Sequence, residues 1–257
     1  KIEEKNMKSR YICNNFLGMR AWKELRGKLM ITTTPHIGSP GYLPKPANIL
    51  RMSHFFHSIA DVGYYKKNSL DFYDEVLLAG KFQQKSIRFL EQARGLKKKN
   101  LVPVGLPYFD YFIAHKEKES ITGESNSTIL IGSSWGDKSL LAVYGLDFVN
   151  NLVKSGYSVI IRPHPYSLKV ERDLIFKYFS KTKINPDIYW DFSSSPIKSF
   201  VKSSILISDS SSLRFDYAFA FLKPIISLSI PNENLLQFEV SDLNENWSEK
   251  LADIVGT

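Results

Sequence analysis

The sequence predicts an α/β protein made of two Rossmann-like domains with parallel sheets. Short runs rich in Ile, Leu and Val alternate with longer segments of helical period, which is the pattern of βα units. In the second half these runs are short and apolar, as in sheets that helices cover on both faces. The charge also changes along the chain, since residues 1–118 carry 21 Lys+Arg and 10 Asp+Glu, and residues 119–257 carry 13 and 16. We therefore divide the chain into a basic first domain, 1–118, and a second domain, 119–257.

The second domain has the more regular series of elements. Its predicted strands are Thr128–Ile131, Tyr157–Ile161, Ile188–Trp190, Ile205–Ser208 and Pro224–Leu228. Its predicted helices are Lys138–Lys154, Leu168–Phe179, Ile197–Lys202 and Leu213–Leu222.

The first domain has fewer predicted elements. Its strands are Leu29–Thr33, Ile49–Ser53, Glu75–Ala79 and Leu101–Val104, and its helices are Phe82–Gly95 and Pro107–His115. A doubly wound domain usually has more than four strands, so we expect this domain to be truncated. The polar stretch Lys116–Ser127 is the expected linker, and Asn246–Val255 is an expected helix that crosses back to the first domain.

Composition and missing motifs exclude several classes of protein. A hydrophobic fraction of 43% excludes disorder, and a single cysteine excludes a disulfide framework. The apolar runs are too short to cross a bilayer, so we expect a cytoplasmic protein. The chain lacks GxGxxG after a strand, GxxxxGK[ST] and GxSxG, which argues against dehydrogenases, P-loop kinases and α/β-hydrolases.

The net charge of +11 on residues 1–118 indicates either a solvated basic face or an anionic partner such as a phosphate polymer, nucleic acid or a lipid surface. Lys97–Lys99 are predicted to lie on a solvated face.

Candidate site residues lie in loops that follow predicted strands, where parallel α/β sheets place their ligands. In Arg162-Pro163-His164-Pro165 the prolines keep the loop extended, the guanidinium suits a phosphate, and the imidazole suits a proton or hydrogen bond to a leaving phosphate. In Ser208–Ser212 several hydroxyls precede a helix, which is either an ordinary N-cap or an anion site suited to a diphosphate. Asp209 would repel phosphate, so we expect it to orient a loop or to bind a histidine or ribose.

Two further loops carry weaker signals. His54 and His57 are three residues apart and are able to share a helical face, but without other ligands at suitable spacing a metal is not expected. A general base at His57 is the better interpretation. In Gly132-Ser133-Ser134-Trp135-Gly136 small residues let a ligand approach the backbone, and Trp135 either stacks on a base or packs internally.

Taken in order, these loops resemble those of the CDP-glycerol glycerophosphotransferases, which are similar to the teichoic-acid glycerol-phosphate polymerases. The resemblance covers roughly Ile49 to Leu228. Its landmarks are His57-Ser58, Val104-Gly105-Leu106-Pro107-Tyr108-Phe109-Asp110, Ser133-Ser134-Trp135, Arg162–Pro165, Ser208–Ser212, Phe215-Asp216-Tyr217-Ala218 and Lys223-Pro224-Ile225.

The resemblance implies a GT-B fold with two domains facing a cleft, and metal-independent transfer of glycerol phosphate from CDP-glycerol, without a cofactor and with release of CMP. It implies His57 as the base for the acceptor hydroxyl and His164 as the group that protonates the donor diphosphate. The implied donor-binding residues are Arg162, Asp209, Ser210, Ser211, Ser212, Ser134 and Trp135. The implied partners are a CDP donor, an anionic or lipid-linked acceptor and the inner membrane surface, with no nucleic acid.

Three departures from the family pattern leave the transferred group open. Ser58 replaces a loop glycine, Tyr108 stands where Arg is frequent, and Gly136 stands where a basic residue is common. Ribitol phosphate or a capsular sugar is therefore an alternative, the latter with a nucleotide-sugar donor. A non-catalytic module that binds polyanions is the third hypothesis, and it predicts salt-dependent binding without nucleotide preference.

Overall fold

The structure is a computed structural model, and it describes residues 15–59, 61–119 and 127–230 together with Ile12 and Leu243. The described chain forms two compact units. Among the described residues, the first unit contains 15–57 and 62–105, and the second contains 106–230 together with 58, 59 and 61. The expected helix Asn246–Val255 and most of the expected linker lie outside the described residues.

The first unit has one four-stranded parallel sheet in the order β1-β2-β3-β4. Its elements are helix α1 (Phe16–Lys23), strands β1 (Arg26–Thr32) and β2 (Asn48–Phe55), a 3₁₀ turn (Val62–Tyr64), strand β3 (Glu75–Leu78), helix α2 (Gln83–Ala93) and strand β4 (Asn100–Pro103). In its core Met52, Val76 and Leu78 of the strands pack with Ile87 and Leu90 of α2.

The second unit has a five-stranded parallel sheet in the order β7-β6-β5-β8-β9. The helices are α3 (Pro107–Glu119), α4 (Leu140–Lys154), α5 (Ser167–Val170), α6 (Arg172–Thr182), α7 (Ile197–Lys202) and α8 (Leu213–Phe221). The strands are β5 (Thr128–Gly132), β6 (Ser158–Arg162), β7 (Ile188–Trp190), β8 (Ile205–Ser208) and β9 (Ile225–Ser227).

Hydrophobic clusters cover both faces of this second sheet. On one face Leu130 and Leu206 pack with Phe112 of α3, Phe200 of α7 and Phe221 of α8. On the other face a second cluster joins the strands to α4 and α6; its members include Ile131, Ile161, Ile207, Leu141, Val149 and Ile175. This double coverage explains why the strands are apolar throughout, and the predicted α/β class with parallel sheets is confirmed.

The structure differs from the sequence predictions in several places. Helix α3 belongs to the second unit, where it packs against α7 and α8, so the units divide after Gly105 and not at residue 118. The predicted helix Leu168–Phe179 is two helices, because the backbone leaves helical geometry at Glu171. His54 lies within β2, so His54 and His57 do not share a helical face.

Lys99 is a further difference, because only 5% of it is exposed. Its backbone N–H donates to Glu91 Oε1 at 2.8 Å, and its ammonium lies 4.0 Å from the same oxygen. A solvated face was therefore the wrong prediction for this lysine.

No helix among the described residues has the length and apolar character needed to span a membrane.

Candidate functional site

The site in the second unit is built on the carboxyl ends of three neighbouring strands. The strand register pairs Gly132 of β5 with Arg162 of β6 on one side and with Ser208 of β8 on the other. The three loops that begin here therefore start side by side. Strand order reverses between β5 and β8, and open parallel sheets bind ligands at such a switch point.

Asp209 ties two of these loops together. Its carboxylate accepts hydrogen bonds from the Ser134 N–H at 2.9 Å and the Ser134 hydroxyl at 2.7 Å. It also accepts from the N–H groups of Leu140 at 2.8 Å and Ser211 at 3.1 Å. Asp209 is buried and its oxygens are engaged within the protein, so it orients loops in this structure. This is the loop-orienting arrangement that its charge led us to expect, whereas its place among the donor contacts stays a prediction.

Arg162 is held by the loop that follows β7. Its guanidinium lies 2.6 Å from Asp191 Oδ2 and donates to the Ser193 carbonyl at 2.9 Å. Burial alone would raise the pKa of Asp191, but hydrogen bonds from Ser193 and Ser199 and the charge of Arg162 together lower it. This buried ion pair joins the β6 and β7 loops. The predicted grip of Arg162 on phosphate stays a prediction.

His164 is half-buried, and its tautomer is fixed by its own loop. The Tyr166 N–H donates to His164 Nδ1 at 3.0 Å, so the neutral ring carries its proton on Nε2. Burial lowers the pKa of His164, while the carboxylates of Asp209 and Glu171 oppose that shift. At neutral pH the ring is therefore a neutral Nε2–H donor.

The three serines of the β8 loop differ in exposure: Ser210 is exposed, and Ser211 and Ser212 are half-buried. Ser212 precedes α8 with helical backbone angles and makes no side-chain capping bond, so it is not an ordinary N-cap. Hydroxyl groups beside the first turn of a nine-residue helix are suited to an anion.

Trp135 and Gly136 form the tip of the β5 loop. Trp135 is exposed, and its ring meets the Tyr166 ring edge-on. Gly136 has a φ of 96°, which L side chains rarely adopt. A basic side chain at position 136 would be strained by this backbone conformation, which explains why glycine stands there.

His57 lies in the first unit, beyond the end of β2. The residue is exposed, yet the protein around its ring displaces enough water to lower its pKa. His54 is fully buried in an aromatic environment, where its Nε2 lies 3.1 Å from the Tyr65 hydroxyl, and burial lowers its pKa to about 3. Of the two histidines at this strand end, His57 is thus the one that is placed to exchange protons with solvent.

Within the part of the chain that the structure describes, His, Cys, Asp and Glu residues form no group of three or more with metal-binding geometry.

Tyr108 explains another departure from the family pattern. Its hydroxyl donates to Asp216 Oδ1 at 2.5 Å, which connects α3 to the first turn of α8. Burial raises the pKa of Asp216 to about 7, and the bond from Tyr108 opposes this shift. The contact lies inside the second unit, and no pattern in the sequence indicated this pairing.

Comparison with known families gives a match to the model described as CDP-Glycerol:Poly(glycerophosphate) glycerophosphotransferase over residues 63–233. The chain belongs to this family. The resemblance drawn from the loops is therefore confirmed. The matched range contains Trp135, His164 and Ser210–Ser212, whereas His57 precedes it.

Solved structures of low sequence identity resemble this glycerophosphotransferase family member. The UDP-GlcNAc 2-epimerase of Methanocaldococcus jannaschii, in complex with UDP-GlcNAc and UDP, has a TM-score of 0.56 at 12% identity over 88% of this chain and 71% of that chain. The UDP-GlcNAc 2-epimerase of Neisseria meningitidis has a TM-score of 0.50 at 13% identity, over 79% of this chain and 62% of that chain. At these identities the likeness concerns the fold alone.

The wall teichoic acid polymerase TagF gives a TM-score of 0.47 at 16% identity over 77% of this chain and 53% of that chain. The chain thus spans about half the length of TagF. No curated protein is similar enough to count as a match.

Proposed function

We propose that the chain is a transferase that moves glycerol phosphate, or a related polyol phosphate, from a CDP-activated donor to a hydroxyl of a cell-surface polymer or lipid-linked acceptor. The observation that carries this proposal is the Nε2–H of His164 in the loop after β6, the strand beside β5, in a member of the glycerophosphotransferase family. The β8 serines at the start of α8 supply hydroxyl groups for the donor diphosphate.

In the proposed reaction the acceptor oxygen attacks the phosphorus that carries the polyol. The bond from this phosphorus to the bridging oxygen breaks, and CMP leaves with that oxygen. His57 takes the proton of the acceptor hydroxyl, since its lowered pKa leaves the imidazole neutral and able to accept it.

His164 acts on the leaving oxygen through a hydrogen bond in this mechanism. Phosphate monoesters have a second pKa of about 6, so CMP is able to leave at neutral pH without a full proton. A neutral Nε2–H donor meets this need, and the lowered pKa of His164 favours it. The expected protonation of the donor diphosphate by His164 is thereby narrowed to a hydrogen bond.

The test compares turnover of radiolabelled CDP-glycerol with a lipid-linked acceptor in three variants. We expect His164→Ala to lower kcat by about 10²–10³-fold, and His164→Gln, whose amide is able to donate, to lose less. His115→Ala is the matched control, since His115 lies on α3 with Nδ1 2.7 Å from the Tyr111 carbonyl oxygen, and it should leave kcat unchanged. Unchanged turnover in His164→Ala would sink the mechanism.

The donor is tested separately by thermal shift with CDP-glycerol, CDP-ribitol, CMP and UDP-sugars. Stabilisation by UDP-sugars alone would favour the alternative, a glycosyltransferase for capsule or surface polysaccharide. Equal binding of any polyanion would favour a non-catalytic module.

We also propose that the first unit contacts the cytoplasmic membrane surface. Phe16 and Leu17 of α1 are 82% and 71% exposed, and Arg20 and Lys23 follow on the same helix. Exposed apolar side chains beside basic ones suit the interface of an anionic bilayer.

A further inference from the structure

Two exposed aromatic side chains meet beside His164. The ring centroids of Trp135 and Tyr166 lie 4.8 Å apart with their planes at 68°. Trp135 is 51% exposed and Tyr166 is 43% exposed. We call this pair the aromatic corner.

The backbone on each side fixes the corner in place. Tyr166 donates its N–H to His164 Nδ1 at 3.0 Å, so the tyrosine and the histidine move together. Trp135 directly follows Ser134, whose N–H and hydroxyl are both bound by Asp209. Large apolar surface is therefore held open at the same strand ends as the proposed reacting group.

We infer that the aromatic corner receives the transferred group of the donor, with the carbon chain of a polyol or the C–H face of a sugar against its rings. This inference rests on the proposed function. His164 is there assigned to the bridging oxygen at which the donor breaks. The first carbon of the polyol is separated from the attacked phosphorus by a single oxygen, whereas cytosine lies beyond the other phosphate and the ribose. The aromatic corner, which lies next to His164, is thus closer to the polyol than to the base.

The corner has two consequences for the reaction. Aromatic faces pack well against C–H groups, and they exclude water from the neighbourhood of the attacked phosphorus. A longer transferred group covers more of the two rings, so the corner contributes to the choice among glycerol, ribitol and sugar.

The experiment measures dissociation constants for CMP and for CDP-glycerol by calorimetry in Trp135→Ala and Tyr166→Ala. The two ligands share base, ribose and one phosphate, and only CDP-glycerol carries the transferred group. We expect each variant to weaken CDP-glycerol binding by about three- to tenfold and to leave CMP binding within about twofold. Unchanged CMP binding also shows that the second unit is folded.

Tyr157→Ala is the matched control, because Tyr157 is 42% exposed and precedes β6 at the opposite end of that strand. It should bind both ligands as the wild type does. Equal weakening of CMP and CDP-glycerol in the corner variants would assign the rings to the base and overturn the inference, as would no weakening of either. If the wild type binds neither ligand, the proposed function fails first, and the inference falls with it before any variant is made.

Discussion

Asp209 acts through the residues it holds. The carboxylate lies beside the proposed donor site, but each of its hydrogen bonds in the structure comes from Ser134, Leu140 or Ser211. Those bonds hold the start of α4 and the β5 loop in register with β8. The geometry of the proposed donor site therefore depends on a residue that need not touch the donor.

Replacing this carboxylate should affect stability before binding. We expect Asp209→Asn to destabilise the second unit by about 2–4 kcal/mol, because an amide has one acceptor oxygen and turns its NH₂ toward groups that donate. The measurement is thermal or urea unfolding without ligand, with the exposed Asp187→Asn as control. A variant with unchanged stability but weak donor binding would show instead that Asp209 contacts the donor.

At the scale of elements, helix α3 is attached to the second unit partly through Tyr108 and Asp216. Because the folded-state pKa of Asp216 lies above its ordinary value of 3.8, the folded protein binds a proton between that value and about 7 that the unfolded chain has released. The contribution of this group to stability therefore falls as the pH rises through this window. The Tyr108 hydroxyl limits the loss by stabilising the charged form.

Tyr108→Phe tests this attachment. We expect a loss of about 1.5–3 kcal/mol at pH 8, where the bond reaches a carboxylate, and about 1 kcal/mol at pH 5, where the acid is protonated. Tyr111→Phe is the control, because Tyr111 is exposed on the same helix. Urea unfolding at the two pH values gives the answer, and a loss of equal size at both would contradict it.

The sequence predicts the ends of an element well where neighbouring residues determine them, and poorly where contacts with distant residues do. Ile188–Trp190 and Ile205–Ser208 have the bounds that their apolar runs predicted. The break at Glu171 was missed because Glu favours helices. Helix α1 was missed because Phe16 and Leu17 are exposed and give no buried stripe.

The candidate site divides in the same way. Its loops were predictable because each follows an apolar strand and carries polar or aromatic residues. The partners inside the site were not predictable, since Asp191 reaches Arg162 only because Trp190 pairs with Ile161. Strand order and register are properties of the folded sheet. Tyr166 lies just outside the Arg162–Pro165 motif, so the motif alone does not predict its part in the site.

The difference in net charge between the two parts of the chain is the same at the observed boundary as at the predicted one. Residues 1–105 carry 19 Lys+Arg and 8 Asp+Glu, and residues 106–257 carry 15 and 18, which gives net charges of +11 and −3. The excess positive charge thus belongs to the first unit even though α3 does not. This is the charge that the proposed contact with an anionic bilayer or acceptor requires.

Sedimentation with vesicles tests the membrane contact. We expect binding to vesicles with anionic lipid that weakens as salt rises, and about tenfold weaker binding when Phe16 and Leu17 are both replaced by Ser. Ile184→Ser is the control, because Ile184 is equally exposed but lies in the second unit. Vesicle binding that changes neither with salt nor with the α1 substitutions would refute the membrane contact.

The position of β5 in the second sheet has a consequence for how the protein is made. β5 lies in the centre of the sheet, but its partner on one side, β8, leaves the ribosome only after β6 and β7. Until then a wholly apolar strand has one unpaired edge, and such edges promote association between nascent chains. A pause in translation after β5 and before β8 has left the ribosome should therefore increase aggregation, whereas a pause after both β8 and β9 have left it should not.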